Sequence, residues 1–203
     1  RKKEEELTQY HKDLAASVQR YTEEIIFHVL NYLHQKTGLT KVCIAGGVAQ
    51  NSVANGKITR NTPFTDVYIP SAGHDAGISM GSAYWVHHMV AGQKRSKAVF
   101  DANTGCYYSN AQIKAECEQQ GLVYRELPDA ELYPEIVRCL TGGGVVGWFN
   151  GRAEFGPRAL GGRSIIADPR RSDAKEILNL KIKRRESFRP FAPSILKEEV
   201  KNW

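Results

Sequence analysis

Four arginines are spread through residues 147–170, GWFNGRAEFGPRALGGRSIIADPR, at Arg152, Arg158, Arg163 and Arg170, with Gly151, Gly156, Pro157, Gly161 and Gly162 between them. A second basic run follows in KIKRRESFRPFAPS, at Lys181, Lys183, Arg184, Arg185 and Arg189. A guanidinium offers a planar fork of donors that grips phosphate or carboxylate through paired bonds. Glycine lets a backbone approach a ligand, and turn, where a Cβ would clash. Together the two residue types suggest a pocket for an anionic, phosphorylated substrate. Residues 152–189 hold eleven Lys/Arg against five Asp/Glu, a surplus of +6 that equals the formal net charge of the whole chain. The basic excess therefore lies entirely in this window. A solvated basic face is the bland alternative. A nucleic-acid surface is another, but it wants exposed aromatics between the cations or a known module. Here Trp148, Phe149, Phe155, Leu160, Ile165 and Ile166 read as strand and packing residues. The glycines favour a defined concavity, so the anion pocket is preferred.

A second candidate lies earlier. The apolar run KVCIA, residues 41–45, reads as a buried strand and runs into Gly46-Gly47, followed by VAQNSVANGKI with Asn51. A strand that ends in glycines before a helix is a favoured place for a nucleotide, because the helix start offers free N–H groups. This segment is neither GxGxxG nor a Walker loop. A third candidate is Asp75 in PSAGHDAG, after the strand expected at 66–69. It suits either the cap of the following helix or a carboxylate for a metal or metal-bound phosphate. His28, His34, His87 and His88 read as ordinary surface or core residues. Glu154 reads as a salt-bridge partner, with the orientation of one arginine as the alternative; Arg170 and Arg171 are as well explained by the surface as by the site.

These groups need elements to hold them. Leu14, Val18, Tyr21, Ile25, Val29 and Leu33 step by three or four, which predicts an amphipathic helix over 13–34, stopped at Gly38. A small-residue helix is expected over 76–91, with Gly77 and Gly81 permitting close packing. Residues 92–108 lack hydrophobic period and carry the domain boundary, near residue 97. Beyond it we expect a helix at 109–120 capped by Ser109, a strand at 122–127, a helix at 129–141, a turn at Gly142-Gly143-Gly144 and a strand at 144–149. A last helix over 173–185 would put Lys181 and Arg185 on one face. Alternating helices and strands mean α/β layering in both parts.

At 41% hydrophobic and 25% charged the composition is that of an ordinary globule. No apolar run approaches the roughly 20 residues that cross a bilayer, and the charged start has no secretory apolar stretch. The four cysteines show no CxxC pair, which argues against zinc or a disulfide framework and for a cytoplasmic setting. The chain starts on Arg1 and ends on KEEVKNW, so an interior fragment of a longer protein is expected.

GGVAQNSVANGKI, PSAGHDAG, VVGWFNGRAEFGPRALGGRSIIADPR and IKRRESFRPFAPS resemble the carbamoyltransferase family that includes the nodulation carbamoyltransferases and the antibiotic O-carbamoyltransferases. The resemblance runs from about residue 13 to 200. EFGPRALGGRSI and FRPFAPS are specific to it; GGVAQN is shared with the Kae1-like enzymes of tRNA modification. The resemblance implies an α/β chain in two parts. Residues 1–96 would be the C-terminal portion of a Kae1-like domain, with the actin/Hsp70-type ATPase fold, and 97–203 most of a YrdC-like domain. It implies carbamoyl-adenylate made from carbamoyl phosphate and ATP, and a carbamoyl group passed to a hydroxyl of a small-molecule acceptor.

By that resemblance Arg152, Arg158, Arg163, Lys183, Arg185 and Arg189 contact phosphate and carbamoyl groups, with Ser164 as a hydrogen-bonding partner. Gly46, Gly47 and Asn51 hold the adenylate. Asp75 matches a metal-ligating aspartate, the metal being iron or, alternatively, magnesium. The family's other ligands come from an HxxxH helix and an aspartate in an N-terminal half; no HxxxH occurs here. The expected partner is that missing half, without which the metal site is incomplete and the fragment inactive. Related threonylcarbamoyl or hydrogenase-maturation chemistry and a basic RNA-binding module are the alternatives.

Overall fold

The computed structural model describes residues 5–95 and 101–202. It divides into two compact units: Arg1–Ala102 with Phe155–Arg158, and Asn103–Glu154 with Ala159–Trp203. The boundary expected near residue 97 lies outside the described residues. Both units are small mixed α/β assemblies with two-stranded sheets.

The first unit opens with α1, Gln9–Thr37, longer than the periodicity predicts at both ends. Gly38 closes it as expected, at φ +67° with its N–H on the His34 carbonyl at 2.7 Å. The predicted apolar stripe does not face this unit's core. Leu14, Val18, Tyr21, Ile25, Val29 and Leu33 are all exposed, and the buried positions are Glu23 and Leu30. Periodicity identifies a stripe but not what covers it. The opposite face is the one that finds partners here. Leu30, with Ile26 and Phe27, packs on Val42, Ile58, Phe64, Ile44 and Val67. Glu23 meets Lys57 Nζ at 2.7 and 2.9 Å. Many large apolar side chains besides this stripe are exposed among the described residues.

Strand β1, Lys41–Cys43, pairs in parallel with β2, Asp66–Tyr68, with Val42 opposite Val67. Each is shorter than its apolar run predicts. Between them come a 3₁₀ turn, Val48–Gln50, and two one-turn helices, α2, Ser52–Asn55, and α3, Ile58–Asn61. Helix α4, Gly77–Trp85, continues as a π-helical turn over Val86–Val90, in place of one uniform helix. Gly77 is packed on the Ala72 carbonyl, whereas a Cβ on Gly81 would meet nothing within 4 Å, so close packing applies to only one of the pair.

In the second unit α5, Asn110–Gln119, starts at Ser109, whose Oγ accepts the Gln112 N–H at 3.3 Å while Gln112 Oε1 accepts the Ser109 N–H at 2.9 Å. The strand expected at 122–127 is absent. Those residues pair with no other strand among the described residues, and Val123 is fully exposed. Without a partner strand, β-branched residues alone do not make one. Helix α6, Asp129–Thr141, and the glycine turn fall where expected, with Gly143 at φ +87°. Strand β3, Val145–Phe149, then pairs antiparallel with β4, Arg163–Ala167, so that Phe149 faces Arg163 and Trp148 faces Ser164. The helix expected over 173–185 is a single α turn, α7, Ala174–Glu176, followed by a π-helical stretch, Ile177–Ile182. It ends before Arg185, whose N–H instead turns back to the Asn179 carbonyl at 2.9 Å. Lys181 and Arg185 therefore share no helical face.

Candidate anion-binding groove

The end of β1 builds the first part of the site. Gly46 takes φ +110°, a conformation that favours glycine, and its N–H meets the Gly73 carbonyl at 2.5 Å. That bond ties together the two loops that leave the parallel strands. Gly47 then starts the 3₁₀ turn, and a Cβ there would meet nothing within 4 Å, so its backbone is open to an approaching ligand. Asn51 ends the turn and caps α2, accepting the Ala54 N–H at 3.1 Å. Its amide also exchanges two bonds with the Gln19 side chain, at 2.9 and 3.2 Å. Asn51 thus shapes the site while most of its hydrogen-bonding capacity is already used by the protein.

Gln19, Thr22, Gly47, Val48, Gln50, Asn51, Ser52 and Arg158 line an open concavity of about 480 Å³. Arg158 reaches it from the loop between β3 and β4, on the segment Phe155–Arg158 that belongs to the first unit. It is exposed and makes no hydrogen bond or ion pair among the described residues. It is also the one charged side chain in this lining. Hydroxyls, amides, an open glycine backbone and one free guanidinium can hold a polar ligand that carries a negative charge. The structure thus brings Arg158 together with Gly47 and Asn51, which sequence reading had assigned to a separate site. Gln50 Nε2 is buried without a hydrogen-bond partner among the described residues.

The other predicted cations lie outside this groove, and the arginines among them are engaged elsewhere. Arg152 Nη1 donates to the Gly105 carbonyl at 3.0 Å and its guanidinium lies 5.8 Å from the Tyr107 ring centroid. Arg163 donates to the Glu154 carbonyl at 3.2 Å and stands 3.5 Å from the Glu154 carboxylate. Ser164 Oγ accepts the Gly161 N–H at 3.0 Å. Arg185 Nε donates to Asn179 Oδ1 at 2.7 Å and its guanidinium lies over Phe191. Arg189 pairs with Glu186 at 2.9 Å. Lys183 is exposed. Asn179, which is fully buried, also donates to the Ser187 and Arg189 carbonyls and so organises the second basic run.

Glu154 is more than an ion-pair partner. Its side chain is fully buried, and Oε1 accepts the Leu160 and Gly162 N–H groups, each at 2.6 Å. Burial alone would raise its pKa, but the backbone donors of Gly162 and Leu160, with the Arg163 charge, hold it below the usual carboxylate range.

Asp75 is exposed, and its side chain caps no helix: α4 starts without a side-chain cap bond. Among the described residues no three His, Cys, Asp or Glu side chains converge on a point. Asp75 could therefore supply one ligand, but these residues do not fit a whole metal site, and no step is derived through one. No helix is long and apolar enough to cross a membrane among the described residues.

Sequence reasoning missed Gln19 and Thr22, because it read α1 only through its apolar stripe. Polar residues at i, i+3 and i+4 (Gln19, Thr22, Glu23) mark the other face. Asn179 in an otherwise apolar ILNLKI run was the signal for a buried, fully bonded amide.

The family model of the carbamoyltransferase N-terminus matches residues 1–84, and that of the carbamoyltransferase C-terminus matches residues 137–203. Among relatives, the chain is 45% identical over 206 residues to the uncharacterized protein sll1178 of Synechocystis, covering 98% of this chain and 34% of that protein. It is 39% identical to nodulation protein NolO of Bradyrhizobium diazoefficiens, over 98% of this chain and 37% of that one. It is also 39% identical to nodulation protein NolNO of Sinorhizobium fredii, over 98% and 30%. The chain spans about a third of the length of these relatives. With the N-terminal and C-terminal models of one family matching residues 1–84 and 137–203, the chain belongs to the carbamoyltransferase family.

Proposed function

We propose that this chain is part of an O-carbamoyltransferase that forms carbamoyl-adenylate from carbamoyl phosphate and ATP and passes the carbamoyl group to a hydroxyl of a sugar or other small-molecule acceptor. Residues 1–96 would belong to a Kae1-like transfer domain and 97–203 to a YrdC-like adenylating domain. In the first step water hydrolyses carbamoyl phosphate to carbamate and inorganic phosphate, a carbamate oxygen attacks the α-phosphorus of ATP, and pyrophosphate leaves. Anion meets anion there, so cations must neutralise the charge that builds on the phosphoryl oxygens. Arg152, Arg163, Lys183, Arg185 and Arg189 are the candidates, with Ser164 as a donor. In the second step the acceptor oxygen attacks the carbamoyl carbon, AMP leaves and the hydroxyl proton is lost to a base.

The observation that carries this reading is the free guanidinium of Arg158 beside Gly47 and Asn51 in one groove. We assign Arg158 to the adenylate phosphate there. The test uses full-length enzyme in single turnover, with pyrophosphate and AMP measured separately. Arg158→Ala should keep the pyrophosphate burst and slow AMP release at least about tenfold, the loss expected for a hydrogen bond to a charged group. Wild-type AMP release would reject the assignment, and absence of pyrophosphate release from the wild type with carbamoyl phosphate would reject adenylation.

A further inference from the structure

We propose that Glu154 is a positioning residue, a buried carboxylate that closes the loop carrying Arg158 and so limits where that guanidinium can go. The proposal rests on the reading of Arg158 given above.

Three observations meet at this loop. First, Glu154 Oε1 grips the N–H groups of Leu160 and Gly162 at 2.6 Å, which turns residues 154–160 into a closed ring. Second, the ring is anchored at its start. The Phe155 N–H donates to the Ala102 carbonyl at 2.8 Å, Ser71 Oγ donates to the Phe155 carbonyl at 3.0 Å, and a Cβ on Gly156 would collide with the Ser71 carbonyl. Third, Arg158 is exposed and has no hydrogen-bond or ion-pair partner among the described residues, so its restraint comes from the loop's shape. A six- or seven-membered turn with one end fixed and its limbs joined leaves few backbone states for its tip. Without the clamp, the limb after Arg158 is free to open, and a ligand that needs the guanidinium must order it at an entropic cost.

The carboxylate also suits this task better than a neutral side chain. Two N–H donors converge on one oxygen, and the Arg163 guanidinium faces the other at 3.5 Å. Charge-assisted bonds of this kind are shorter and stronger than neutral ones. Glu154 itself lines no part of the groove, so it acts through Arg158 and touches no reacting atom.

The experiment is a double-substitution cycle in the full-length enzyme, with AMP as the binding probe and AMP release in single turnover as the rate. Glu154→Ala should weaken AMP binding about as much as Arg158→Ala, on the order of tenfold. The double variant should be no worse than Arg158→Ala alone, since the clamp has nothing left to position. Glu154→Gln keeps an oxygen to accept both N–H groups but loses the charge, and should recover part of the binding; an acid or base role would leave it as low as alanine. Additive losses in the double variant, or equal failure of Gln and Ala, would overturn the proposal. If Arg158→Ala is itself silent, the reading of the groove fails; if Arg158→Ala weakens binding and Glu154→Ala does not, only the clamp fails. Should Glu154→Ala not fold, Gly162→Ala, whose Cβ would press on the Glu154 carboxylate, takes its place in the cycle.

Discussion

A single methyl group at Gly162 tests how tight the Glu154 clamp is. A Cβ built there would stand 2.7 Å from the Arg152 carbonyl oxygen and 3.2 Å from the Glu154 carboxyl carbon and Oε2. Carbon–oxygen contacts settle at about 3.3 Å or more, so something must move by roughly half an ångström. Neither neighbour is a flexible tip. One is main chain; the other is a fully buried carboxylate already held by two N–H groups at 2.6 Å. Overpacking of this kind costs about 1–3 kcal/mol. For a protein of this size each kcal/mol lowers the melting temperature by roughly 2–4 °C, so Gly162→Ala should melt between a few and about 10 °C below wild type. The assay is thermal and urea unfolding by circular dichroism, with Gly147→Ala measured alongside. Gly147 lies in β3 with open space at its Cβ, and its replacement should stay within about 0.5 kcal/mol of wild type. If the two variants are equally stable, the clamp does not have the rigidity its distances imply.

Three further outcomes are expected. Gly81→Ala, with open space in the interior of α4, should gain about 0.5–1 kcal/mol, whereas Gly77→Ala, which collides with the Ala72 carbonyl, should lose more than about 1 kcal/mol; urea midpoints that move together would count against the packing described. Ser109→Ala removes the cap of α5 and should cost about 1 kcal/mol, read as a lower urea midpoint, with Ser109→Thr losing less. Asp168 is held at about 2, first by the Arg170 side chain and then by the Arg170 N–H. Its pKa is depressed, so its contribution is present above its unfolded value near 4 and lost as pH falls through about 2. Arg170→Met should therefore shift the acid-unfolding midpoint upward in a circular-dichroism titration from roughly pH 5 to pH 1.5; an unmoved midpoint would show that the pair contributes nothing.

How much of this was legible in the sequence depends on whether a signal is local. Gly38, Ser109 and the glycines at 142–144 were readable because a cap or turn is decided within a few residues. The run 122–127 was misread because a strand needs a neighbour, and no neighbour is written in the run itself. The stripe on α1 was readable as a stripe, but its direction depends on what else is available to bury it. Gln19 and Glu23 turn inward because Asn51 and Lys57, more than thirty residues away, satisfy them. Of the site, the residue types were legible and their grouping was not. Sequence adjacency put Arg158 with Arg152 and Arg163, whereas the loop carries it to Gly47 and Asn51.

The same sorting bears on the basic surplus itself. Of the cations in residues 152–189, Arg163, Arg170, Arg171 and Arg189 each stand beside an acid of the same window. Arg152 and Arg185 spend donors on backbone and amide oxygens. Exposed charges more than about 8 Å apart act nearly alone at physiological salt, so a net +6 need not act as one field. What distinguishes Arg158 is local: a guanidinium without a partner among the described residues, beside a concavity lined with polar groups, on a loop closed by a buried carboxylate. If that argument is right, anion affinity follows the geometry of one arginine and not the charge of the window. Lys175→Gln and Lys181→Gln together lower the net charge by two, yet AMP affinity of the full-length enzyme at physiological salt should stay within about twofold of wild type, since screening leaves them little reach. A loss matching that of Arg158→Ala would mean that the surplus, and not the groove, does the binding.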